Sequence, residues 1–124
     1  MGVIMQNEGR KRPEKSESQL VYEVMQVLGR YGAVFRTNSG QFYAKNGQPV
    51  SGLPKGFSDV LFIRPDGRAC FIELKTGGNE TSPEQEKFIE RMQKLSAVAG
   101  KVRSAAEALR LCGVGNNADI TSEG

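Results

Sequence analysis

The chain has 124 residues, 38% hydrophobic and 25% charged, long enough for one domain with a real core and too short for two ordinary ones. No apolar run approaches the ~20 residues of a membrane span, and no charged-then-apolar-then-small secretory pattern follows Met1. There is no histidine, which excludes a Ser-His-Asp triad, a Cys-His pair, a histidine-bound zinc and a histidine general base.

The net charge of +3 and pI near 9.0 permit an anionic partner without requiring one. Cys70 and Cys112 lie far apart, with no C-x-x-C, so a reduced, cytoplasmic setting is expected. Residues 1–15, with Arg10-Lys11-Arg12, read as a flexible basic arm. Residues 16–112 read as one domain, and 113–124 as a flexible tail.

A helix is predicted from Ser16, because Ser16 and Gln19 have capping-box spacing and Leu20, Val21, Val24 and Leu28 share a face. It is expected to end around Gly29–Gly32. Ala33–Thr37 reads as a short strand. Asn38–Gly56 is a long connection in which Phe42-Tyr43-Ala44 and Asn46-Gly47 suggest a small hairpin.

Asp59–Ile63 and Cys70–Leu74 are the strongest strand candidates, joined by Pro65-Asp66-Gly67, a three-residue loop with Gly67 left-handed. A helix follows with Ser82 as cap, Pro83 first and Gln85 closing a capping box, its apolar face being Phe88, Met92 and Leu95. A strand near Ala99–Val102 and a helix from Ser104, with Glu107 closing another box, complete the order. The expected fold class is mixed α/β, order α-β-β-β-α-β-α, with a βαβ crossover at the end.

The hairpin loop fixes a register. Arg64 then faces Arg68, Asp59 lies directly opposite Glu73, and Lys75 shares their face because strand side chains alternate. Two carboxylates with Cβ atoms roughly 5 Å apart repel unless a cation lies between them. That cation is either Lys75 or a divalent, oxygen-seeking metal. One reading is a strand-end ion pair of Glu73 and Lys75 with Asp59 facing water. The other is a hydrolytic site, in which Asp59 and Glu73 hold Mg²⁺ or Mn²⁺ against a phosphodiester and Lys75 positions the nucleophile and neutralises charge.

Asp59, thirteen intervening residues and Glu73-Leu74-Lys75 match the Asp…Glu-x-Lys pattern of the restriction-endonuclease-like nucleases. With "SESQLVYEVMQVLGRYG", "FRTNSG", "KGFSDVLFI", "FIELKTGGNETSPEQEKFIERM" and "GKVRSAAEAL", the stretch from Ser16 to Leu109 resembles the VRR-NUC, or virus-type replication-repair nuclease, family. The resemblance implies a restriction-endonuclease-like core. It also implies metal ligation by Asp59, Glu73 and the Leu74 carbonyl, with Lys75 as the catalytic lysine. Glu17 matches an acid brought to the site and Gln85 a nearby glutamine. For these two, a first-turn helix acid and a capping-box partner are equally physical explanations. Family members often carry Pro where this chain has Ser58.

Stand-alone members of that family are associated with viral, phage or bacterial replication and repair, act as homodimers and cut branched DNA such as four-way junctions. Around the site, Arg36, Asn38, Lys55, Lys101 and Arg103 are candidate phosphate contacts. No sequence-reading motif is present. The alternatives to a nuclease are a non-cleaving module of the same fold that binds DNA or a replication protein, and a plain structural subunit.

Overall fold

The computed structural model describes residues 15–37, 42–50, 52–78 and 80–115. The predicted arm, except Lys15, and the predicted tail beyond residue 115 lie outside them. The described residues form helices α1 (Glu17–Leu28), α2 (Pro83–Lys94) and α3 (Ala105–Cys112), and strands β1 (Ala33–Arg36), β2 (Phe42–Tyr43), β3 (Pro49–Val50), β4 (Val60–Ile63), β5 (Ala69–Leu74) and β6 (Val98–Val102). No helix among them is long and apolar enough to cross a membrane.

The protein is a small mixed α/β fold around a four-stranded sheet of order β1-β4-β5-β6, with β2 and β3 forming a separate ribbon. β1, β4 and β5 run antiparallel, and β6 joins β5 in parallel through α2. The hairpin loop behaves as its residues dictate. Gly67 adopts φ +85°, its N–H donates to the Arg64 carbonyl at 2.8 Å, and the Arg64 N–H donates to Arg68 at 3.0 Å. The register follows, with Ile63 opposite Ala69 and Val60 opposite Ile72.

Alternation splits the sheet into two faces. Val60, Phe62, Cys70, Ile72 and Leu74 enter the main core with Leu20, Val24 and Leu28 of α1 and Ala108 and Leu109 of α3. Removing this much apolar surface from water is the chief stabilising term. The other face carries Phe71, which meets Phe57 and Phe88 at ring-centroid separations of 5.9 and 5.4 Å. This smaller aromatic cluster seats α2 against β5.

Both Ser16 and Ser82 form complete capping boxes, with Gln19 and Gln85 respectively. Two details differ from expectation. Leu95 is not on the buried face of α2 but caps its C-terminus, 67% exposed, and Ile89 is the buried residue instead. The α3 cap is half a box: the Ser104 hydroxyl accepts from the Glu107 N–H, but the Glu107 carboxylate accepts from the Arg103 N–H rather than from Ser104. The N-terminus of α2 is fixed by close approach of the loop before β4. Gly56, at φ +91°, passes so near Glu84 that a Cβ would lie 2.7 Å from the Glu84 carbonyl.

Candidate functional site

Asp59 directly precedes β4, and extending the register by one step places it opposite Glu73. The side chains bear this out. Asp59 Oδ2 accepts from the Leu74 N–H at 2.8 Å, and the two carboxyls hydrogen-bond each other. Glu73 is 2% exposed and Lys75 is 8% exposed, which sets aside a water-facing ion pair at the strand end. No hydrogen bond joins Glu73 to Lys75. Each binds Gln85: its Nε2 donates to Glu73 Oε1 at 2.7 Å, and its Oε1 accepts from Lys75 Nζ at 3.1 Å.

The same Gln85 Oε1 accepts from the Ser82 N–H at 2.9 Å. The two explanations of Gln85 therefore hold at once. One amide closes the helix cap and holds the acid and the lysine of β5 at fixed separation. Lys75 Nζ also reaches the Glu80 carbonyl at 3.4 Å.

These groups open onto a polar cavity of about 330 Å³ lined by Glu17, Asp59, Glu73, Lys75, Glu80 and Gln85, with Leu74 and Thr76. Glu17, the first residue of α1, thus reaches the cavity although α1 packs on the opposite face of the sheet. Burial, the hydrogen bond with Asp59 and the Asp59 charge push the Glu73 carboxyl up to about 8, against the pull of the Lys75 ammonium. At neutral pH this raised value favours the protonated form of Glu73.

The donor set suits a hard divalent cation. Two carboxyl groups are presented from the sheet into a cavity where four acidic side chains meet one lysine. Among the described residues no group of three His, Cys, Asp or Glu side chains is placed to hold a metal. The protein's share would be a carboxylate pair, the usual case for Mg²⁺, which keeps water and takes phosphate oxygens for the remainder.

Comparison of the chain with family models, curated proteins and solved structures returns no match.

The candidate DNA contacts divide sharply. Lys101 is the register partner of Glu73 across β5 and β6, and it lines an adjoining cavity with Arg103. Arg36 pairs with Val60, whose side chain enters the main core, so the strand directs Arg36 to the face away from Glu73. Lys55 lies by the start of α2, where the Glu84 carboxyl is held below its usual range by its own backbone N–H and then by the Lys55 ammonium. Asn38 lies outside the described residues.

The sequence reading missed Glu80, Thr76 and Thr37. Thr37 stands opposite Asp59, its N–H donating to the Asp59 carbonyl at 3.1 Å and its hydroxyl to the Ser58 carbonyl. Ser58, fully buried, donates from its hydroxyl to the Val60 carbonyl. These bonds fix the backbone that presents Asp59, and the β1 register would have pointed to Thr37. Nothing in the local pattern marks Glu80, which follows a loop.

Proposed function

We propose that the chain is a Mg²⁺- or Mn²⁺-dependent endonuclease with a restriction-endonuclease-like core of the VRR-NUC type, hydrolysing phosphodiester bonds in branched or structured DNA. The observation that carries this reading is the meeting of Asp59, Glu73 and Lys75 in one cavity, clamped by Gln85. Without histidine, carboxylates, a lysine and a metal form a sufficient set for this hydrolysis.

Asp59 and Glu73 would hold a divalent ion, which would supply Lewis-acid activation of the phosphate and of water, and Glu73 would have to give up its proton to ligate. Lys75, fixed through Gln85, would donate to a phosphate oxygen and balance the charge that grows as the bond to the leaving oxygen breaks. Glu17 and Glu80 add negative charge at the cavity's edge, which favours the cation. A homodimer with two such sites would suit paired incisions across a junction.

The deciding experiment incubates purified protein with a labelled four-way junction and a linear duplex of the same sequence, in Mg²⁺, Mn²⁺ or EDTA. Metal-dependent cutting of the junction is expected. Binding without cutting in either metal would favour the non-cleaving module, and cutting that survives EDTA would remove the metal from the scheme.

Gln85 permits a finer prediction. Gln85→Ala and Ser82→Ala each remove part of the same cap and should each cost about 1 kcal/mol of stability by thermal melting. Only Gln85→Ala loses the bridge to Glu73 and Lys75. It should slow cleavage by about ten- to a hundredfold at a temperature where both variants are folded, while Ser82→Ala stays within about twofold of the parent. Equal slowing would reduce Gln85 to a helix cap.

A further inference from the structure

Beside the acidic cavity lies a second, of about 360 Å³, lined by Lys75, Thr81, Lys101 and Arg103, with Glu80 and Glu107. Lys75 belongs to both, so a chain running from one to the other passes its ammonium. A third hollow, of about 280 Å³, again includes Lys75 and Arg103 together with Lys15. Lys101 and Arg103 thus lie on one side of Lys75 and Glu17, Asp59 and Glu73 on the other, with Glu80 bordering both cavities.

The cations are held differently. Arg103 Nη1 donates to the Gly77 carbonyl at 2.7 Å, which positions a guanidinium that keeps further N–H donors for a ligand. Lys101 Nζ is drawn to Glu86 Oε1 at 3.0 Å, with the two side chains 45% and 50% exposed. An exposed pair of this kind is weak and screened by salt, so an incoming anion readily replaces Glu86. Glu107 is engaged by the Arg103 N–H at 2.9 Å, which leaves it bonded within the rim.

We propose that this cavity binds a backbone phosphate of the nucleic-acid strand next to the phosphate at the acids, and that Glu86 holds Lys101 at the rim until that phosphate takes its place. The assignment rests on the nuclease reading and deepens it, because it gives the strand a path: acids, Lys75, then Arg103 and Lys101. Phosphate contacts of this kind set register without reading bases, which suits a site that responds to DNA shape.

The test measures binding of a short labelled DNA duplex in EDTA, where nothing is cut, across a KCl series. Lys101→Ala and Arg103→Ala should each weaken binding about three- to tenfold and reduce the slope of log affinity against log salt by about one. Arg103→Lys, which keeps the charge, should retain the slope. Glu86→Gln, which frees Lys101, should tighten binding about two- to threefold at low salt, and Lys94→Ala, at the far end of α2, should match the parent.

Parental slopes in both alanine variants overturn the subsite, and unchanged affinity in Glu86→Gln overturns the role of Glu86. If inorganic phosphate raises the melting temperature of the parent but not of Arg103→Ala, while the duplex slopes stay parental, the cavity takes a free anion and the strand path falls. A parent that binds and cuts while these variants behave normally leaves the nuclease reading standing. A parent that neither binds nor cuts removes both.

Discussion

Asp59→Asn is expected to lower the rate of metal-dependent junction cleavage by about a thousandfold or more, the scale of losing several kcal/mol of transition-state stabilisation. The substitution is chosen for its geometry. An amide oxygen can still accept from the Leu74 N–H, the bond that now holds Asp59 at 2.8 Å, so the strand end is not disturbed. What disappears is a charged ligand. Junction binding in EDTA should stay within about threefold of the parent, because phosphate contacts dominate affinity. Lys75→Met should be similarly inactive for a different reason: it removes the cation beside the phosphate and leaves Gln85 Oε1 with only the Ser82 N–H. Single-turnover rates of both variants, with melting curves as a check of folding, decide the matter. Cleavage by Asp59→Asn within tenfold of the parent would sink the metal-ligand assignment.

The second large effect concerns Glu73 and pH. In the unfolded chain its carboxyl titrates near the ordinary 4.5; in the fold, burial and Asp59 push it up to about 8. Below the lower value both states are protonated, and the full stabilising contribution is present. Between the two, the folded protein keeps a proton that the unfolded chain has released, so stability falls as pH rises through this window, by a few kcal/mol in all. Metal-free protein should therefore melt several degrees lower at pH 8.5 than at pH 5.5 from this group. Glu73→Gln, isosteric with the protonated acid and still able to accept from Gln85, should lose this decline. It should melt above the parent at pH 8.5, yet be inactive. Added Mg²⁺ should raise the melting temperature of the parent most at high pH, where no proton competes, and leave Glu73→Gln almost unmoved. A parental curve flat from pH 5 to 8.5 that also superimposes on the variant's would refute the account.

Local chemistry made much of this legible. A three-residue loop with a glycine at its left-handed position determines the β4–β5 register, and that register alone puts Asp59 opposite Glu73. The caps at Ser16 and Ser82 were equally readable, since a capping box is written within four residues. What stayed hidden depended on distant partners. Leu95 fits the helical period of α2, but the helix ends at Lys94 and nothing covers the next residue. Arg36 ends the strand that pairs with β4 next to Asp59, yet its register partner Val60 shows that it faces the other way. Cys70 and Cys112 meet in the core and their thiols hydrogen-bond, which together with burial pushes the Cys112 thiol up. No spacing rule relates a residue of β5 to one at the end of α3. Glu80 escaped notice because only the path of the loop after β5 carries it to the cavity.

The placement of Glu73 on β5 bears on how the site is anchored. β5 is bonded on both edges, to β4 and β6, so the backbone carrying Glu73 is held from both sides. Gln85 sits in the first turn of α2, which its capping box with Ser82 and the close approach of Gly56 to Glu84 hold in place. The acid and its clamp are therefore anchored in two different elements, one in the sheet and one at a helix start. The spacing between the Glu73 carboxyl and the Lys75 ammonium is set by how those two elements pack rather than by either strand or helix alone.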